Sequence, residues 1–199
     1  MEALREVIAM IHAQPSHPLV LLDAKRGDID KTAHAYATAS LQTFGADSVT
    51  VNAYMGSDTL QPFLAHKDKG VFALCKTSNP GSNDLQTLKL EDGERLYERV
   101  ARLCVGDKGE RADQMGLVVG ATDVDALKTI RAKYPGVWIL APGVGAQGGD
   151  LQSALSAGIN KDTKQGMIIA VSRQVSKAAD PKAEAEKIVY TCRNLLKGL

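Results

Sequence analysis

Short, unbroken apolar runs punctuate this chain, each followed by a stretch with helical spacing. Runs of strand length fall at residues 19–23, 48–52, 71–76, 116–120, 137–141 and 167–172. They are rich in Val, Ile and Leu and lack in–out alternation, as expected when both faces of a parallel sheet are covered. Between them helices are expected over 32–44, stopped by Gly45, and over 96–105 after an acidic start. Three more should run from a Thr122 cap to Tyr134, from an Asp150 cap through Ala157, and over 181–196 with Pro181 in the first turn. Leu4, Val7, Ile8 and Ile11 mark a further amphipathic helix ahead of the first strand. The series is βαβα with short connections and no linker, repeat or low-complexity tract, so a single α/β domain over 1–199 is expected. Six strands are counted, whereas a (β/α)8 barrel has eight in typically about 250 residues.

Composition adds limits more than direction. The 199 residues are 44% hydrophobic and 24% charged with a formal net charge of +1, which points to neither a nucleic-acid nor a membrane surface. Apolar runs such as 167–171 are too short to cross a bilayer, and the first residues have no signal-peptide pattern. Cys75, Cys104 and Cys192 are odd in number and widely spaced, so they read as free thiols in a reducing, cytoplasmic setting. His12, His17, His34 and His66 show no metal-ligand spacing.

The densest chemistry follows the first apolar run: Asp23-Ala24-Lys25-Arg26-Gly27-Asp28. Alternation along a strand would send Asp23 and Lys25 to the same face, and Gly27 would turn the chain and carry Asp28 into the following loop. A lysine held between two carboxylates at the end of a buried strand is the expected result. Nearby anions favour its charged form, and its movable protons suit proton transfer. The same six residues also fit an ordinary ion pair at a strand–loop junction.

A second group, Pro142-Gly143-Val144-Gly145-Ala146-Gln147-Gly148-Gly149-Asp150, lies between a strand and a helix. It contains G-x-G-x-x-G, but a dinucleotide fingerprint belongs on the first strand of its unit and wants an acid ending the next. Here the next strand ends in Ser172-Arg173. Arginine there leaves NADP open, and it equally suits a simple phosphate cradled by glycines and a helix N-terminus. A glycine-rich turn without a ligand is the bland alternative. Between the two groups, residues 75–83 leave a strand end with Thr77-Ser78-Asn79-Pro80, neutral hydrogen-bonding groups suited to the edge of a planar amide ring or simply to a polar loop.

Taken together, these loops resemble the orotidine 5′-monophosphate decarboxylase family. Asp23, Lys25, Asp28, Ile29 and Thr32 match its D-x-K-x-x-D-I…T segment; 77–81 match its pyrimidine loop; 142–150 with Ser172-Arg173 match its phosphate grip. The resemblance implies a (β/α)8 TIM-barrel fold, with about six of the eight βα units in this chain. It implies decarboxylation of orotidine 5′-monophosphate to UMP, the last step of de novo pyrimidine biosynthesis, with no metal or organic cofactor. Lys25 would protonate the ring carbon that loses CO2, and Asp23 would hold Lys25 beside the substrate carboxylate. Asp28, with Ile29 and Thr32, would act across a homodimer in the neighbouring site. Ser78 would contact the pyrimidine, and Pro142, Gln147, Ser172 and Arg173 would hold the 5′-phosphate. The glycine-containing stretch 146–162 is expected to be mobile. Fusion or association with an orotate phosphoribosyltransferase is a further implication.

The resemblance also implies two strands ahead of the first one here, bearing an Asp and a Lys that this sequence lacks. A piece of a longer reading frame is the favoured explanation, a shortened homologue the other. Two further readings stay open on the residues: a sugar-phosphate decarboxylase or aldolase of the same superfamily, and a catalytically impaired barrel fragment that binds a nucleotide phosphate.

Overall fold

The computed structural model describes residues 1–145 and 149–199. The elements, in chain order, are α1 (Glu2–His12), β1 (Leu21–Arg26), α2 (Asp30–Ala37), β2 (Ser48–Val51), α3 (Gln61–Leu64), β3 (Gly70–Lys76), α4 (Leu96–Val105), β4 (Met115–Val119), α5 (Val124–Lys133), β5 (Ile139–Pro142), α6 (Leu151–Gly158), β6 (Met167–Ala170), α7 (Arg173–Ser176) and α8 (Pro181–Lys197). The chain divides into two compact units, one comprising Met1–Leu74 with Arg102–Gly116, the other Cys75–Ala101 with Leu117–Leu199. β3 and β4 each begin in the first and end in the second.

In the first unit β1, β2 and β3 pair in parallel, with Leu21 opposite Ser48 and Val49 opposite Val71. β2 is buried throughout, and Val49, Val51, Val71, Leu41 and Phe63 form a core closed to solvent. The helix expected over 32–44 is broken differently from the pattern. α2 gives way to a π-helical turn, Thr38–Thr43, in which the Phe44 N–H reaches the Ala39 carbonyl at 2.9 Å. The wider turn buries Ser40 and Leu41 before Gly45, at φ +74°, stops the helix. α1 forms where its apolar stripe placed it, yet only Ile8 of that stripe is buried. Its C-terminal His12 meets Asp47 at 2.8 Å, and the same carboxylate oxygen accepts from the Val20 N–H at 2.7 Å. Asp47 thus joins α1 to the entrances of β1 and β2.

In the second unit β4, β5 and β6 are parallel, with Leu117 opposite Ile139 and Ile139 opposite Met167. Leu117, Val119, Leu127, Ile130 and Ile139 are its buried apolar centre. Asp123, not Thr122, caps α5: its carboxylate accepts from the Ala126 N–H at 3.0 Å. Asp150 caps α6 and Asp180 caps α8 in the same way. β1 and β6 are only half-buried, unlike the covered strands the apolar runs predict. Among the described residues each has a ladder partner on one side alone.

Arg131 is the polar hub of this unit. Buried on α5, it donates to the carbonyls of Gly158, Pro135, Val137 and Gly166 at 2.6–2.8 Å and to that of Tyr134 at 3.4 Å. It therefore ties α5 to the end of α6 and the entrance of β6. Burial lowers its guanidinium to about 10. Gly166 has φ +91°, and a Cβ there would lie 2.9 Å from the guanidinium. The buried Cys75 thiol donates to the Tyr97 carbonyl at 3.2 Å, and burial pushes Cys104 up to about 12.

Arg131→Met should lower stability by about 3 kcal/mol or more, because several buried carbonyls lose their donor at once; urea unfolding followed by circular dichroism checks this, and a loss under about 1 kcal/mol would contradict the hub role. Asp47 supplies a pH dependence. Partial burial opposes its ionisation, but the Val20 N–H, His12 and Lys69 outweigh it and hold its carboxyl below the ordinary value. Its stabilisation is then complete above the unfolded value of about 4 and is lost as pH falls through the lowered native one. The stability difference between wild type and Asp47→Asn should shrink as pH drops from about 5 to about 2.

Candidate active site

In the first unit, β1 runs through the acid–lysine motif instead of ending before it. The ladder slips between Leu22, opposite Val49, and Arg26, opposite Val51, so four steps on one strand answer two on the other. Lys25 takes up the slack at φ +47°, a conformation unfavourable for a residue with a Cβ. Simple alternation therefore does not bring Asp23 and Lys25 together; the bulge does. The Lys25 ammonium donates to both Asp23 oxygens at 2.6 Å. Thr50 on β2 locks the arrangement, its hydroxyl donating to Asp23 at 2.8 Å and accepting from the Lys25 N–H at 2.9 Å. Partial burial works against ionisation of Asp23, but the ammonium and the Thr50 hydroxyl overcome it and place the carboxyl below its ordinary value.

Two features of this cluster depart from the sequence expectation. The pair is not buried: the Lys25 side chain is 51% exposed and that of Asp23 58%. Nor does Asp28 complete a sandwich, since its carboxylate turns to the N–H of Ile29 at 2.8 Å. Among the described residues Lys25 has one acidic partner, Asp23. Gly27 is required for space and not for a turn conformation, since a Cβ would sit 3.0 Å from the Asn52 carbonyl. Ile29 begins α2 as its N-cap residue and is exposed, as is Thr32 one turn on. The guanidinium of Arg26 stacks over Tyr36, 4.7 Å from the ring centre.

In the second unit the loops after β3, β4 and β5 draw together. Ser78 packs directly on Gly120, where a Cβ would meet the serine's own at 2.8 Å. The Ala121 N–H donates to the Pro142 carbonyl at 2.8 Å. Beyond Pro142, Gly143 at φ +99° and Gly145 at φ +70° fold the loop back, so that Gly145 donates to Gly149 and Gly149 to Gly143. A Cβ on Gly149 would stand 2.7 Å from the Gly143 carbonyl, so residue 149 is held to glycine by the close approach of backbone. Gln147 lies outside the described residues. At the start of α6 Asp150 acts as the cap, accepting from the Ser153 N–H at 2.7 Å. That backbone bond keeps the Asp150 carboxyl below its ordinary value. Nor is 146–162 uniformly loop, since α6 runs through it and buries Ala154, Leu155 and Ala157. Ser172 and Arg173 open α7 just past β6, both exposed, and the Ser172 side chain makes no cap bond.

Sequence reasoning passed over Lys76 and Asp123. Lys76 closes β3 and is buried; its ammonium donates to Ser82 at 2.7 Å and lies 3.4 Å from Asp123. The available signal was a lysine ending an otherwise apolar strand, read instead as the start of a neutral loop. Strand ends gathering polar loops at their carboxyl side are where α/β barrels place their chemistry.

The family model for orotidine 5′-phosphate decarboxylase / HUMPS matches residues 5–188. The chain belongs to that family. It is 52% identical over 166 residues to the orotidine 5′-phosphate decarboxylase of Roseiflexus castenholzii, which covers 83% of this chain and 60% of that relative. Its fold matches the Leishmania donovani OMP decarboxylase with a TM-score of 0.89 at 47% identity, over 98% of this chain and 74% of that one. The UMP synthase of the same organism matches with a TM-score of 0.90 at 49% identity, over 98% of this chain and 42% of that one. The chain thus spans about three fifths of the curated relative's length. Its architecture is the family's TIM-barrel type, represented here by six parallel strands and their helices. Among the described residues no helix is long and apolar enough to cross a membrane.

The Asp23 carboxyl reports on its own cluster. Thr50→Val and Lys25→Met should each raise its pKa relative to wild type, since each removes a donor to the ionised form. Carboxyl carbon chemical shifts followed against pH would measure it, and an unchanged midpoint in both variants would contradict the geometry described.

Proposed function

We propose that this chain decarboxylates orotidine 5′-monophosphate to UMP, acting as a carbon–carbon lyase in the last step of de novo pyrimidine biosynthesis. The observation that carries the reading is the Lys25 ammonium bound at 2.6 Å by both oxygens of Asp23, in a chain of this family. In the reaction the bond between ring carbon C6 and the carboxylate breaks, CO2 leaves, and the electron pair stays on C6. That carbanion lies in the ring plane and gains nothing from the carbonyls, so a fixed positive charge beside it is the effective stabiliser. Lys25 supplies that charge and then a proton to C6; the neutral amine left behind recovers a proton from water. Asp23, oriented by Thr50, keeps the ammonium aimed. Each step draws on the chain's own side chains, and no metal or organic cofactor takes part.

Ser78 contacts the pyrimidine from the loop after β3, while Pro142, Gln147, Ser172 and Arg173 hold the 5′-phosphate. Supporting this, Arg173 is exposed and has no ion-pair partner among the described residues. Binding energy gained at the phosphate, remote from C6, is available to lower the barrier of the chemical step. Asp28, Ile29 and Thr32 act in the site of a second copy in a cytoplasmic homodimer; the exposure of Ile29, at 59%, favours such a contact. The likeness to a UMP synthase of which this chain covers 42% favours fusion to, or association with, an orotate phosphoribosyltransferase.

Loss of the orotate absorbance of orotidine 5′-monophosphate measures the activity. Lys25→Ala should lower kcat by about a thousandfold or more, within the range of general-acid contributions and added loss of charge. Arg173→Ala should raise KM by roughly ten- to a hundredfold through lost charge-assisted hydrogen bonds. Turnover by Lys25→Ala at the wild-type rate would remove the assigned proton donor.

A further inference from the structure

A second lysine in the molecule is placed quite differently from the one assigned to proton transfer. Lys76 is 3% exposed, at the carboxyl end of β3 and at the root of the loop that carries Ser78. An apolar residue of similar length would occupy this position without the desolvation cost of an ammonium, so the charge calls for a reason beyond filling space. Its contacts supply one. The ammonium donates to the buried Ser82 hydroxyl at 2.7 Å, lies 3.4 Å from Asp123, and approaches the Thr77 carbonyl at 3.5 Å. Ser82 sits in a 3-10 turn, Pro80–Asp84, that closes the loop. Asp123 is the N-cap of α5, its other oxygen committed to the Ala126 N–H. One compact cation with three donors therefore joins both ends of the loop to the start of a well-anchored helix.

The rest of the loop is pinned by neutral contacts. Gln86 accepts from the Thr77 N–H at 2.8 Å and donates to the Thr77 hydroxyl at 2.9 Å, and that hydroxyl donates to Asn79 at 2.7 Å. Ser78 packs closely on Gly120, with no side chain between them. Lys76 is the charged member of this set, and its position rules out direct contact with a bulky ligand while giving it control over the loop that would make one.

We propose that Lys76 is a positioning residue for base recognition: by joining Ser82 to Asp123 it holds the Thr77–Ser82 loop in the shape that reads a planar pyrimidine edge. This rests on the assignment of Ser78 to the pyrimidine made above. It predicts a division of effects that a general loss of packing would not produce, because the phosphate-holding residues belong to other loops.

The test uses Lys76→Met, Ser82→Ala and the double variant in the 199-residue chain, titrating each calorimetrically with UMP and with ribose 5-phosphate. Amide hydrogen exchange is followed across residues 77–86. Each single variant should weaken UMP about tenfold and change ribose 5-phosphate by less than about twofold. The double variant should be no worse than Lys76→Met, as expected for two groups in one contact. Exchange should quicken over 77–86 while β4 and α5 keep their protection. Equal loss of both ligands, unaltered UMP binding, or unaltered loop exchange would overturn the proposal. Should Lys76→Met fail to fold, Ser82→Ala alone decides, since it leaves the ammonium beside Asp123. A wild-type chain that binds neither ligand would instead overturn the decarboxylase reading, and loop exchange in the variants would still show whether Lys76 holds the loop.

Discussion

Both carboxylate oxygens of Asp23 close on the Lys25 ammonium, and the backbone of β1 is bent to allow it. A lysine in the left-handed region costs about 1 kcal/mol or more, and a bulge forfeits regular ladder bonds. These costs are offset locally by the Thr50 hydroxyl, which accepts from the Lys25 N–H and donates to Asp23. Thr50 belongs to β2, whose side chains are wholly buried, so the half-exposed ion pair is built on a rigid neighbour. That division suits the proton transfer proposed for Lys25: its ammonium stays accessible while the group that aims it has little freedom.

The two lysines at strand ends show how burial sorts one side chain into two kinds of work. Lys25 is open to its surroundings and held by a single acid. Lys76 is enclosed, with its contacts distributed over a hydroxyl, a carbonyl and a capping aspartate. An enclosed ammonium loses favourable hydration and regains it only from fixed partners, so its geometry is stiff. A stiff cation under a loop is useful for shaping that loop, whereas an accessible one aimed by a single acid suits the chemistry proposed for it. Arg131 is a third case, a cation whose partners are backbone carbonyls and whose effect is to clamp α5, α6 and the start of β6.

Most elements were legible because their signals are local. Unbroken Val, Ile and Leu runs located all six strands to within a few residues, and Asp150 could be read as a cap from its place before an apolar helix. Errors arose where two strands or two turns had to agree. β1 continues through Asp23 and Lys25 because its partner β2 offers Thr50, information absent from the motif itself. The π-helical turn before Gly45 buries Ser40 and Leu41, and Asp123, the residue next to the first turn of α5, is the cap in place of Thr122, with its second oxygen 3.4 Å from Lys76.

What the amino-acid order determined alone was the kind and spacing of its chemistry: an acid–lysine motif after a strand, a glycine turn after another, and an arginine after a third. These are readable because propensity, periodicity and glycine's small size act over a few residues. Only the tertiary structure decided which charged groups touch. Asp23 meets Lys25 across an irregular stretch of the β1–β2 ladder, Asp28 turns to the neighbouring Ile29 N–H, and Lys76 is enclosed beside Ser82 and Asp123. Contact between charges depends on burial and on the register of neighbouring strands, and both are properties of the folded chain as a whole.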